Sequence, residues 1–207
     1  MPEMSHRVLL VTPTVAMGGA EIVQRLMADL LISRGFDVFV YSYYCDGQQE
    51  LFGDFPERRL YFNQDISLAQ LLCEQDYDIL HAVTLCTNKG LLRSVAKSRY
   101  DGALILTCHG AFSPEKTFAA VDAYTAVSDA VAARIESQVD VPIRVIHNGI
   151  DTDKYYLRKT QQHMHPIILW VGRTHDLNKD FSGFVAVATA LRNAPVEFWV
   201  ASASVDE

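Results

Sequence analysis

The alternation of short apolar runs with amphipathic stretches limits what this chain can fold into more than any single motif does. Arg7-Val-Leu-Leu-Val-Thr-Pro13 is a compact apolar run. A turn of small residues, Ala16-Met-Gly-Gly-Ala-Glu21, follows, and then Ile22, Val23, Leu26, Met27 and Leu30 fall on one face of a helix. Gly35 ends that helix, and Phe36-Asp-Val-Phe-Val-Tyr-Ser42 has the β-branched and aromatic content of a strand. The alternation continues with a helix around Leu68 to Glu74, a strand at Asp78 to Val83, a helix around Asn88 to Ala96 and a strand at Ala103 to Cys108. A short strand at Ala123 to Val127, a helix capped by Ser128 and a strand at Ile143 to Ile146 complete it. Buried strands separated by helical segments imply an α/β, Rossmann-like fold: a parallel sheet with helices on both faces and right-handed crossovers.

Asn148-Gly149-Ile150-Asp151 breaks the pattern, and Lys154 to His165 is polar and ends at Pro166. The reading is therefore a first domain over 1–152, a linker over 153–165 and a second element set over 166–207. That set has a strand at Pro166 to Val171, a helix at Asp180 to Arg192 with Phe181, Phe184, Val185, Ala188 and Leu191 inward, and a strand at Glu197 to Ala201. The 207 residues amount to one domain and a remainder. The remainder reads as the truncated start of a second α/β domain, whose unpaired strand edge invites self-association.

Lys plus Arg number 18 against 25 Asp plus Glu, a formal charge of −7, which argues against sequence-independent attraction to nucleic acid. Cys45, Cys73, Cys86 and Cys108 are widely spaced, form no C-x-x-C pair and read as free thiols, with no metal site implied. The apolar run Val8 to Val11 is too short for a signal sequence or a membrane span, and the expected location is cytoplasmic. Lys89, Arg93 and Lys97 recur at helical spacing, with Arg99 nearby. Such a stripe fits peripheral contact with the anionic inner face of a membrane, but its shortness and the negative overall charge favour a solvated outer helix face.

Five segments together resemble retaining glycosyltransferases of family four, also called group 1, which have the GT-B fold. They are Gly18-Gly-Ala-Glu21, His109-Gly110, Thr125-Ala-Val-Ser-Asp129, Val145-Ile-His-Asn-Gly-Ile-Asp151, and Val171-Gly-Arg173 followed by Lys179. The resemblance covers the family's N-terminal, acceptor-side domain and the start of its donor domain. It implies an enzyme that moves a sugar from a nucleotide-diphosphate donor to a glycan, lipid-linked or small-molecule acceptor, in a cleft between two Rossmann-like domains. Retention of configuration is implied by the resemblance alone, and no metal or other cofactor is called for beyond the nucleotide-sugar substrate.

At Gly18-Gly19 the missing side chains allow close approach of a ligand, and the N-terminus of the following helix offers N–H groups to a diphosphate. The alternative is a plain βα turn. Arg173 and Lys179 follow a strand at the carboxyl edge of the second sheet, where a guanidinium fork and an ammonium would neutralise a departing nucleoside diphosphate. Two solvated loop cations are the alternative. In the resembled family the lysine usually precedes a glycine, whereas here Asp180 follows it. His109, at a strand end, is the candidate catalytic residue: in the family a histidine at this place contacts the transferred sugar, while a lone histidine is otherwise a satisfied structural residue. His147 reads as structural, Ser128 as a helix cap, Glu21 as a partner of the helix dipole, and Asp151 and Asp153 as turn formers.

The family's late E-x7-E segment, which holds the donor's sugar and ribose, has no counterpart in this sequence, so weak or no transfer by this chain alone is expected. Two other readings stay open. One is a non-catalytic acceptor-binding subunit of a split glycosyltransferase, and the other a different GT-B enzyme such as a nucleotide-sugar epimerase. Neither G-x-G-x-x-G nor G-x-x-x-x-G-K-[ST] is present, which removes direct support for a dinucleotide enzyme or a P-loop NTPase.

Overall fold

A computed structural model describes residues 5–16, 18–45, 51–84, 86, 90–110, 121–156, 163–172, 174 and 179–202. Lys89 and Arg173 lie outside the described residues. The chain forms two compact units, 1–152 and 153–207.

In the first unit the chain runs β1 (Arg7–Thr14), α1 (Gly19–Ser33), β2 (Asp37–Tyr44), β3 (Leu60–Phe62), α2 (Leu68–Glu74), β4 (Ile79–Val83), α3 (Leu91–Ser98), β5 (Ala103–Cys108), β6 (Ala123–Ala126), α4 (Asp129–Ile135) and β7 (Ile143–Val145). The strands form one seven-stranded sheet in the order β3-β2-β1-β4-β5-β6-β7, every neighbouring pair parallel. This is the Rossmann-like sheet the alternation predicts.

Around β1 and β2 both faces of the sheet are buried, so these strands alternate between two cores rather than between core and water. Leu9, Val11, Phe39, Leu80, Leu104 and Leu106 face one core, with Leu68 and Leu71 of α2, Leu91, Leu92 and Val95 of α3 and Ile135 of α4. Val8, Leu10, Val38 and Val40 face the other, with Ala28 of α1 and with Phe52 and Phe55 from the segment before β3. Each fully buried leucine contributes about 1.5–3 kcal/mol relative to exposure. Right-handed crossovers explain the division. The chain moves in one direction from β1 to β2 and β3, and in the opposite direction from β4 through β7, so α1 and the later helices fall on opposite faces.

Two local features lie beyond the sequence reading. On α1 the buried positions are Glu21, Gln24 and Ala28, while Ile22 and Leu30 are 38% and 53% exposed. The described helices α2, α3 and α4 lie on the other face, so the apolar flank of α1, including Val23, Leu26 and Met27, lines a groove over the sheet. The short edge strand β3 goes unnoticed in the sequence because Arg58, Arg59 and Pro56 precede only three strand residues. The cap at α4 is as read: Ser128 Oγ accepts from the Val131 N–H at 3.3 Å.

The second unit is a βαβ of β8 (Ile167–Val171), α5 (Phe181–Ala190) and β9 (Glu197–Ala201), with its two strands parallel. Trp170 and Phe198 pack on Phe184, and Trp170 also packs on Phe181. Val185 and Leu191, read as inward, are 46% and 40% exposed, because two strands cover only one side of a helix that is apolar nearly all round.

Candidate functional site

In an open parallel sheet, ligands bind beyond the carboxyl ends of the strands where the strand order reverses. Here the chain leaves β1 for β2 on one side and later returns to place β4 on the other, so the reversal lies between β1 and β4. Val15 and Ala16 leave β1 at this edge, Thr84 follows β4, and His109 follows β5, two strand spacings or about 9.6 Å from β1. Strand order therefore brings the glycine turn and His109, far apart in sequence, to one edge of one sheet.

Gly18 caps α1 in an extended conformation, and its carbonyl accepts the Ile22 N–H at 2.9 Å. The two glycines serve different ends. A Cβ on Gly18 would collide with the Glu21 carboxylate, which folds back over it, whereas a Cβ on Gly19 would meet nothing within 4 Å. Glu21, read from sequence only as a partner of the helix dipole, is buried, and a side chain at Gly18 would make its carboxylate shift. Gly19 presents open backbone at the first turn of α1, where N–H groups lack intrahelical partners.

His109 is half-buried, and that burial lowers its imidazole pKa below the ordinary value, favouring the neutral ring. Beneath it, Cys108 is buried, its thiol pushed up to about 11 by burial despite a hydrogen bond from Thr84. His81 on β4 is 7% exposed. Its Nε2 lies 2.6 Å from Thr107 Oγ1, and Thr107 Oγ1 lies 2.6 Å from Thr125 Oγ1. Burial first, and then the nearby His109, hold the His81 ring down to about 4. His147 Nδ1 donates to the Val127 carbonyl at 3.1 Å, tying the segment after β7 to the end of β6. His81, Thr84 and Thr107 escaped the sequence reading, because only strand register places them under the edge that carries His109.

In the second unit Lys179 is exposed, and its carbonyl accepts from Trp170 Nε1 at 3.1 Å. Asp180 takes up a left-handed conformation, φ 44°, and its side chain accepts the Gly183 N–H at 3.0 Å. Where the resembled family usually has glycine, this chain bears the strain of a positive φ on a residue that tolerates it and caps α5 in return. Gly172, after β8, also has a positive φ of 157°, with Trp170 and Lys179 side chains close to where a Cβ would stand.

Arg93, Lys97 and Arg99 lie on the exposed side of α3, opposite its buried Leu91, Leu92 and Val95. Among the described residues no helix is long and apolar enough to cross a membrane, and no group of three or more His, Cys, Asp or Glu is placed to hold a metal ion.

The family described as Glycosyltransferase Family 4 matches residues 17–154, from the glycine turn past the end of the first unit. No curated protein matches the sequence. Among solved structures, the chain is similar to the lipopolysaccharide outer core galactosyltransferase WaaB in its apo form, with a TM-score of 0.68 and 13% identity over 95% of this chain and 68% of the other. A glycosyltransferase from Rickettsia africae gives a TM-score of 0.68 and 14% identity over 98% and 70%. HepE from Anabaena, solved in complex with UDP-glucose, gives 0.60 and 14% over 95% and 69%. At these identities the likeness is one of fold, the GT-B fold.

Proposed function

The chain belongs to glycosyltransferase family 4, and on that premise we propose that it takes part in transferring a sugar from a nucleoside diphosphate to an acceptor, with retention of configuration. The observation that carries this reading is the shared carboxyl edge of the seven-stranded sheet, with Gly19 after β1 and His109 after β5. In this reading His109 meets the transferred sugar. Its neutral ring donates one hydrogen bond and accepts another, which suits sugar hydroxyls better than a charged imidazolium would.

Gly18 and Gly19 free the first turn of α1 for the donor's phosphates, with Gly19 the open approach and Gly18 making room for Glu21. Arg173 and Lys179 supply the cations that neutralise the departing diphosphate. No metal is assigned to this chemistry, and the nucleotide sugar is substrate rather than cofactor. The bound UDP-glucose of the similar HepE structure supports a nucleotide-sugar donor. The acceptor is a glycan, a lipid-linked sugar or a small molecule.

Saturation-transfer NMR with a panel of nucleoside diphosphate sugars tests the proposal. Saturation of the nucleotide protons is expected with the wild-type chain, and a marked reduction with the Arg173→Ala, Lys179→Ala double variant. An equal response from both proteins would remove those two cations from the site, and no response to any nucleotide would remove the transferase reading.

A further inference from the structure

Three neighbouring strands set polar side chains side by side on a sheet face that is otherwise apolar. His81 on β4, Thr107 on β5 and Thr125 on β6 form a continuous row, with 2.6 Å between His81 Nε2 and Thr107 Oγ1 and 2.6 Å between the two threonine hydroxyls. Val8, Leu10, Ile79 and Ile105 surround it on the same side of the sheet. Packing alone does not call for this row, because valine has the shape of threonine, suits a strand and needs no partner. Stability does not call for it either: His81 Nδ1 is buried with no hydrogen-bond partner among the described residues, and such an orphan is a cost.

The row's place in the sheet suggests what it is for. Thr107 lies at the end of the β5 ladder, two residues before His109, which directly follows the strand. Thr125 likewise precedes Val127 by two, and the Val127 carbonyl receives the His147 Nδ1 proton. His81 and His109 are near enough for a charge on His109 to oppose one on His81. One polar row thus crosses three neighbouring strands, just below the point where His109 follows β5.

We propose that His81, acting through Thr107, is a positioning residue for His109: the row fixes the middle of β4 against the last residues of β5 and β6 and thereby holds the His109 ring where it meets the transferred sugar. This rests on the role given to His109 above. Because each threonine hydroxyl carries one proton, the row has a single direction at a time, and replacing any member changes what Thr107 can hold.

The test compares His81→Leu, which abolishes the bond to Thr107, with His81→Gln, whose amide nitrogen reaches the place of Nε2. Ring signals of His109 are read by NMR in the histidine-labelled full chain, and binding of UDP and UDP-glucose is measured in parallel. His81→Leu is expected to shift and broaden the His109 ring signals and to weaken UDP-glucose about tenfold while leaving UDP within twofold. His81→Gln is expected to restore both to near wild type. A purely structural role would lower the melting temperature of His81→Leu and leave the His109 signals unchanged, which overturns the proposal, as does a His81→Gln protein indistinguishable from His81→Leu. Should the wild type bind neither nucleotide, the transferase reading fails, while the ring signals still decide whether His81 positions His109.

Discussion

The Glu21 carboxylate lies folded back over the Cα of Gly18, so closely that a Cβ there would displace it. One residue on, Gly19 faces open space. Two adjacent glycines in one turn are therefore kept for different reasons, and substitution separates them.

Gly18→Ala is expected to destabilise the chain by up to about 1 kcal/mol, because the Glu21 side chain must shift. Gly19→Ala, at the first position of α1, is expected to be neutral or slightly stabilising, by up to about 1 kcal/mol. Denaturant unfolding of the two variants checks this. If Gly19 lies against a donor phosphate, Gly19→Ala keeps its stability and loses diphosphate affinity.

His81 gives stability a definite pH dependence. Its folded-state pKa is about 4, below the ordinary 6.5, so the unfolded chain binds more protons between these values. Stability attributable to the neutral ring is complete above about pH 6.5 and is lost as pH falls towards 4, by up to about 3 kcal/mol at 1.36 kcal/mol per pKa unit. His109, lowered in the same direction, adds to the slope. Unfolding free energies measured from pH 7 to pH 4 are expected to fall less steeply in His81→Gln than in wild type. Equal slopes would contradict the burial argument.

Asp180 combines a positive φ with a helix cap, and the two contributions separate by substitution. Asp180→Gly relieves the backbone but loses the cap and is expected to be nearly neutral. Asp180→Ala loses the cap and keeps the strain, at a cost of about 2 kcal/mol. Hydrogen exchange across α5 reports the difference, and the opposite ranking would show that the left-handed conformation is not retained.

Arg25 pins the segment before β3 to α1. Its Nη1 donates to the Leu51 carbonyl at 2.9 Å and to Asp54, its Nε donates to Asp29, and its guanidinium lies over the Phe52 ring. Arg25→Ala is expected to cost about 1 kcal/mol, mostly through lost packing on Phe52, since the partner Asp54 is exposed. Arg25→Lys recovers only part, because an ammonium cannot span all three acceptors. Thermal unfolding of both variants tests the ranking.

Local signals reached the elements and some candidate residues, but not how these come together. The run at Val8 to Val11 is legible as a strand because burial on both faces makes it continuously apolar, and Leu104 to Cys108 because it is apolar but for Thr107. Gly18, Gly19 and His109 are legible as candidates because each follows such a run. The order β2-β1-β4-β5 has no local signature, so nothing in the sequence puts Thr84 beside Cys108 or sets His81 against Thr107. How much of the apolar face of α1 is covered was not legible for a related reason. Periodicity finds an apolar stripe on a helix, but the topology of the whole sheet decides which part of that stripe is covered, and Leu30 is left exposed while Gln24 is buried.

Calorimetric titration of UDP and UDP-glucose into the wild-type chain and into His109→Ala addresses the central claim most directly, since the half-buried ring can be removed without disturbing the glycine turn. Saturable binding of both ligands is expected in wild type, with UDP-glucose the tighter, and His109→Ala should erase that advantage of about tenfold while leaving UDP unchanged. Equal loss of UDP and UDP-glucose in the variant, or wild type that binds UDP-glucose no better than UDP, would contradict a role for His109 at the transferred sugar.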